Sequence, residues 1–356
     1  MDEGTGIRRV KISGRPFERG FQFGNLCRKE IENTLEAYRL VFEKYANIRG
    51  EQVRKLAAPF IDVIAQYDSE IMEEISGMAE AMGRPLEDLV AINARTELMF
   101  MSPPRECTAI ALLPEVTSEK RIFMGQNWDW IQRLKGSLVI VEIEQPNRPT
   151  VLMLTEAGIV GKIGMNRAGI GVCLNILLAG NPKMGVPVHV LLRGILNAET
   201  LGDALGTVLQ NPSGGCSHFL IGCKEGAAIG MEVGFHDVEA LYPERGILTH
   251  ANHFVGRRIY REDKGRLRYP DSLIRDHRAL MLLEPKINDL TLHDIETVLR
   301  DHLNHPHSIC RHADPKINEL EEIVSLTSVL MDLESGVLHV AEGPPCQHPY
   351  IPFSFS

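Results

Sequence analysis

The chain changes its hydrophobic period once, and the change falls at Ser102-Pro103-Pro104-Arg105-Glu106-Cys107. Before it, apart from an alternating run at 7–12 that reads as a short strand, apolar residues recur three and four apart. The stretch opening at Gly14-Arg15-Pro16-Phe17-Glu18-Arg19-Gly20 and running through Val41-Phe42 reads as helix, as do roughly 51–66, 69–82 and 85–96. After it, short runs rich in β-branched residues stand between Gly, Pro, Asn or charged turns: 107–113, 122–124, 138–144, 150–155, 170–174, 219–222, 228–233, 324–333 and 337–341. Helical patterns interrupt them only at about 186–209 and 271–302. Strands grouped apart from helices predict an α+β layered domain of antiparallel sheets covered by helices, and not a βαβ alternation. No internal repeat or low-complexity linker divides the 356 residues, so the expectation is a single domain over 1–356.

A formal charge of −9 argues against a nucleic-acid or anionic-membrane partner. No run reaches the roughly 18 apolar residues of a membrane-spanning helix, and the N-terminus has no signal-peptide core. A cytoplasmic protein is the default expectation. The seven cysteines are odd in number, widely spread and form no CxxC pair, which favours reduced thiols.

Cys107 is the thiol that the pattern singles out. A cysteine that opens a strand is ordinarily a small buried hydrophobe. Here two prolines restrict the approach to it, and Gly125-Gln126-Asn127-Trp128-Asp129-Trp130 follows beside a neighbouring strand. A carboxylate such as Asp129 there can orient a nucleophile or an ammonium group, or the segment can be a turn capped by Asn and Asp. The glycines of 155–175 do not stand at dinucleotide-binding spacing; they suit a hairpin turn at Asn166-Arg167-Ala168-Gly169, with Asn175 at a strand end. His302, His305, His307 and His312 cluster with Cys310, but Pro306 interrupts them and no standard ligand spacing appears, so the expectation is a polar loop with no metal and no cofactor. His250 and His253 flank Asn252, which keeps open an unprocessed Cys/His hydrolase built on Cys107.

Taken together, the segments at 14–20, 93–97 (Asn-Ala-Arg-Thr-Glu), 107–108, 125–129, 155–158 (Thr-Glu-Ala-Gly), 165–169, 185–187, 250–253 and 307–311 resemble, in their order, the acyl-coenzyme A:6-aminopenicillanate acyltransferase family, the C45 autoproteolytic cysteine peptidases. The resemblance covers almost the whole chain. It implies an N-terminal nucleophile hydrolase with an αββα sandwich, made as a precursor that cuts itself between Glu106 and Cys107 into a helical α chain, 1–106, and a β chain, 107–356. It implies Cys107 as nucleophile and new N-terminus, with Asp129 holding the α-amino group. Asn252 is the expected oxyanion donor and Asn175 a second one. Asn127, Trp128, Glu156 and Arg95 are the expected substrate-binding residues.

The implied substrate is a small acyl amide or acyl thioester, with the acyl group passed to water or an amine. The other readings are an acyl-CoA-dependent N-acyltransferase and a small-molecule binding protein of the same fold without chemistry. Two departures bear on the choice. Penicillin-acting members carry a Ser-Arg pair before the late strand, where this chain has Glu321-Glu322-Ile323-Val324-Ser325, and Glu106 replaces the usual glycine before the cysteine.

Overall fold

The computed structural model describes residues 6–99, 106–180, 183–317 and 322–356; Pro103, Pro104 and Glu321 lie outside them. Among the described residues the first hundred carry helices α1 (Pro16–Leu26), α2 (Arg28–Val41), α3 (Glu51–Ala57), α4 (Pro59–Tyr67), α5 (Ser69–Met82), α6 (Leu86–Asn93) and α7 (Arg95–Leu98). The later helices are α8 (Val188–Leu196), α9 (Leu201–Leu209), α10 (Gly265–Arg268), α11 (Asp271–Leu283) and α12 (Leu292–Leu299). The strands are β1 (Arg8–Ser13), β2 (Glu106–Leu112), β3 (Phe123–Ile131), β4 (Leu138–Gln145), β5 (Arg148–Glu156), β6 (Ile163–Asn166) and β7 (Ile170–Ile176). They continue with β8 (Ser217–Cys223), β9 (Ala227–Val233), β10 (Val238–Leu241), β11 (Ile247–His250), β12 (Ile323–Asp332), β13 (Val337–Ala341) and β14 (Ile351–Ser354).

Local chemistry sets the helix boundaries. At α5, Asp68 Oδ1 accepts from the amides of Glu70 and Ile71, and Gly83 closes the helix in the left-handed region at φ 62°. The segment Gly14–Gly20 has a packing reason as well. A Cβ at Gly20 would lie 1.8 Å from the Glu74 carbonyl oxygen, and one at Gly77 would lie 2.2 Å from that of Phe17. Only glycines let α1 and α5 approach this closely. Arg19, buried beside them, donates to Glu74 at 3.1 Å, and Arg193 of α8 meets the same carboxylate at 2.8 Å.

An eight-stranded sheet, β1-β4-β5-β6-β7-β8-β9-β10, faces a six-stranded sheet, β11-β2-β3-β12-β13-β14. The pairing is antiparallel except at β1, which runs parallel to β4 across a long connection that carries α1–α7, β2 and β3. Helices α1, α2, α8 and α9 cover the outer face of the larger sheet, and α11 and α12 that of the smaller. The αββα sandwich expected from the sequence is therefore present. The inter-sheet core takes Ala109, Met124 and Trp128; a second cluster under α11 and α12 takes Ile110, Phe123 and Leu299. Alternation along β2 thus sends neighbouring side chains into two different layers.

β3 decides against the alternative of a capped turn at Gly125–Trp130. The segment lies inside a nine-residue strand that is buried throughout, because both faces of the sheet are covered. The hairpin at Asn166–Gly169 is present, with Gly169 at φ 96° and the Ile170 amide donating to Asn166 Oδ1. Among the described residues no helix is long and apolar enough to cross a membrane.

Candidate active site

Cys107 is the second residue of β2, an inner strand between β3 and β11. It pairs with Trp128 across β3, which puts both side chains in the inter-sheet layer, while Glu106 pairs with Asp129. Its backbone is held on both sides. The Cys107 amide donates to Asn252 Oδ1 at 2.7 Å. Its carbonyl accepts from Arg275 Nη1 at 2.7 Å and from Asn175 Nδ2 at 3.2 Å.

Each of these partners is itself oriented. Asn252 Nδ2 donates to the Ile176 carbonyl, and its Oδ1 also accepts from Arg275 Nη2 at 3.1 Å. His218 Nδ1 donates to Asn175 Oδ1 at 3.0 Å. Arg275 is buried on α11 and donates through Nε to Asp271, a carboxylate shared with Arg311. Asp129 Oδ1 accepts from Ser325 Oγ at 2.7 Å, while its other oxygen, also buried, has no hydrogen-bond partner among the described residues. Burial holds the Asp129 carboxyl above its ordinary range against the pull of Arg275, Arg311 and Ser325.

The thiol faces a cleft lined by Arg95, Trp128, Asp129, Trp130, Lys162, Ile163, Leu174 and Ile176. Its volume is only about 10 Å³. That admits about one water molecule and no acyl substrate. Glu156 lies beneath it and joins the cations: Arg95 Nη2 at 3.2 Å, Lys162 Nζ at 3.1 Å and the Tyr38 hydroxyl all bond its carboxylate. Lys162 also sits 3.8 Å from the centre of the Trp128 ring.

Burial pushes the Cys107 thiol up to about 12, with Asp129 adding to the rise, so in the intact chain it carries its proton. Burial brings the Lys162 ammonium down to about 7 despite the attraction of Glu156, with the Arg95 guanidinium adding to the fall. A protonated thiol and an amine that can give up its proton near neutral pH therefore share one cleft.

The structure gathers Cys107, Asp129, Asn175, Asn252, Trp128, Arg95 and Glu156 around one junction. Asn127 stands apart. It points into the helical layer and gives both amide protons away, to the carbonyls of Leu299 and Ile309 at 2.8 Å each. Asn252 serves the Cys107 amide as an acceptor, with its amide nitrogen already bonded to Ile176. His250 has both ring nitrogens engaged, by Glu232 at 2.8 Å and the Ala251 carbonyl at 2.9 Å, and His253 meets Ser272. Burial lowers His253 to about 4, which leaves it neutral near pH 7.

Sequence reasoning missed the parts played by Lys162, Arg275 and Arg311. Lys162 had one usable signal, a lone cation in the apolar run Ile159-Val160-Gly161-Lys162-Ile163. Arg275 had none, since on its own helix it reads as one more charge paired at i, i+4 with Asp271.

Cys107 is thus pinned at the head of an inner strand of an αββα sandwich, with a polar cradle for its backbone. The chain belongs to the family described as acyl-coenzyme A:6-aminopenicillanic acid acyl-transferase, whose profile matches residues 116–345. It is 30% identical over 308 residues to the acyl-coenzyme A:6-aminopenicillanic-acid-acyltransferase 40 kDa form of Emericella nidulans, spanning 85% of this chain and 84% of that protein. Solved structures with a related arrangement include a conjugated bile acid hydrolase variant from Clostridium perfringens (TM-score 0.48, 14% identity, 70% of this chain and 97% of that one). Another is penicillin V acylase from Agrobacterium tumefaciens (TM-score 0.45, 10% identity, 66% and 83%).

Proposed function

We propose that the chain is an N-terminal nucleophile amidohydrolase or acyltransferase that activates itself by cutting between Glu106 and Cys107. The observation that carries this reading is the two-sided grip on the Cys107 backbone by Asn252, Arg275 and Asn175, with the thiol turned toward the cationic cleft. A group held this way loses little freedom on reaching the reactive geometry.

In the first step the Cys107 sulfur attacks the Glu106 carbonyl carbon, the bond from that carbon to the Cys107 nitrogen breaks, and the nitrogen takes a proton to become a free amine. Water then hydrolyses the thioester, leaving a Glu106 carboxylate and a Cys107 thiol. Before the cut no α-amine exists to accept the thiol proton. Lys162, brought to about 7, is the amine in the same cleft that can take it near neutral pH. After the cut the Cys107 α-amine, with an ordinary pKa near ~8, serves its own thiol. Asp129 faces the junction with one carboxylate oxygen still unpartnered among the described residues, which suits it to hold the new ammonium.

Turnover repeats the chemistry on a small N-acyl amide. The thiolate attacks the acyl carbonyl, the amine leaves with a proton, and the acyl-Cys107 thioester passes to water or to an acceptor amine. Residues 1–106 and 107–356 stay in one domain after cleavage. Tyr38 and Arg95 from the first segment bond Glu156 of the second, and Ile31 and Ile92 pack in one core with Trp130 and Leu154. Hydrolysis is favoured over acyl-CoA-dependent transfer to a penam, since Glu321-Glu322 stands where the penicillin-acting members carry an arginine.

Mass spectrometry of wild type and Cys107→Ala tests the reading. Wild type is expected as two chains, the second beginning at Cys107, and the variant as one chain. A wild-type protein that stays one chain of 356 residues while turning over amides defeats the self-processing step.

A further inference from the structure

Behind Asp129, the loop that joins α12 to β12 meets the turn between β13 and β14. There His302, Cys310, His312 and Cys346 converge, one ligand atom of each lying within 4.8 Å of every other. His312 Nε2 is 3.0 Å from His302 Nε2, 3.3 Å from Cys346 Sγ and 3.5 Å from Cys310 Sγ. Around a tetrahedral zinc with Zn–N of about 2.0–2.1 Å and Zn–S of about 2.3 Å, two nitrogens sit roughly 3.3 Å apart and a nitrogen and a sulfur roughly 3.6 Å. The three separations from His312 already stand near those values. We propose that His302, Cys310, His312 and Cys346 bind a zinc ion in a Cys2His2 site.

The donor set supports this choice. Two thiolates and two neutral imidazoles balance the double charge of zinc, and soft sulfur with imidazole selects zinc over magnesium or calcium. Cys310 is buried and His312 half-buried, while His302 and Cys346 reach solvent, so the ion has a path in. The loop is held in place apart from the ligands. The Cys310 amide donates to the Asp301 carbonyl at 3.0 Å, the His312 amide to that of Pro306 at 3.1 Å, and Asn127 reaches from β3 to Ile309. This gives Asn127 a part to play: it fixes the approach to Cys310.

The ion would clamp the residues on either side of Arg311. The Arg311 amide donates to Ser325 Oγ at 2.9 Å, and that hydroxyl donates to Asp129. Its guanidinium meets Asp271 at 3.2 Å, the carboxylate that also holds Arg275 against the Cys107 carbonyl. The zinc is thus a positioning element for both arms of the Cys107 site, and it touches no reacting atom.

All four ligands lie after Cys107, so the site stands or falls independently of self-cleavage. The test is metal analysis of the purified full-length protein by plasma mass spectrometry, with cobalt(II) exchanged for zinc as a spectroscopic probe. One zinc per chain is expected, and a cobalt form with tetrahedral visible bands and a thiolate charge-transfer band. Cys346→Ser and His302→Ala, both on the exposed side, are expected to retain at least about tenfold less metal, whereas Cys216→Ser retains it fully. Wild type without zinc and without the thiolate–cobalt band overturns the proposal. So does metal content unchanged in both ligand variants, or a Cys310–Cys346 disulfide in protein purified without oxidant.

Discussion

Two regions of this molecule use cysteine, and their surroundings give the same side chain opposite prospects. Cys107 stands at the end of an inner strand among apolar side chains, Lys162 and the Asp129 carboxylate, with its backbone bonded on both sides and its thiol driven up to about 12 by burial. Cys310 and Cys346 sit at the edge of the fold with imidazole nitrogens 3.5 and 3.3 Å away and an opening to solvent. The first arrangement keeps a sulfur protonated until a base arrives; the second supplies lone pairs around a shared centre. Thiol reactivity follows the neighbours more than the residue type.

The largest expected effect separates the two regions outright. Cys107→Ala should abolish both self-cleavage and amide turnover while zinc content stays at one ion per chain, read by mass spectrometry and metal analysis on the same sample. Loss of zinc in that variant would mean the regions are not independent. Next in size, Asn175→Ala should slow acyl-enzyme formation about 100-fold, since its amide bridges the Cys107 and His250 carbonyls and a misplaced nucleophile costs on that order. Single-turnover kinetics with an N-acyl amide would show it, and a change confined to KM would exclude the role.

Lys162→Met should slow precursor cleavage about a hundredfold and alter its pH dependence. An amine brought down to about 7 gains its proton-accepting form as pH rises through that value and loses it as pH falls. Wild-type cleavage should therefore rise across about pH 7, and the variant should lose that inflection. Turnover by protein already cut, which relies on the Cys107 α-amine, should change much less. Smallest is the effect of Cys346→Ser on the reaction: turnover falling by less than about tenfold, since the ion acts only through Arg311 and its neighbours, which keep their own hydrogen bonds. A fall as large as that of Asn175→Ala would place Cys346 in the chemistry itself.

Much of the layered fold was legible because local patterns carry it. The helix expected over 69–82 is α5, and the strand expected over 337–341 is β13. β6, β10, β11 and β14 escaped notice because each spans only four residues, too few to show a period, and takes its geometry from neighbouring strands. The full length of β3 was hidden by Gly125, Asn127 and Asp129, residues that favour turns in isolation. Asn127 is held inside a strand by the carbonyls of Leu299 and Ile309, which accept its amide protons, while its buried Oδ1 has no partner among the described residues.

The sequence alone placed the change of hydrophobic period at Cys107 and ordered the motifs that assign the family, since both are properties of neighbouring residues along the chain. Tertiary structure alone decided that Lys162 and Arg275 attend Cys107 and that Cys346 meets Cys310 across the end of a sheet. Those contacts join residues far apart in sequence, and what selects them is which buried donor finds which acceptor once the layers close.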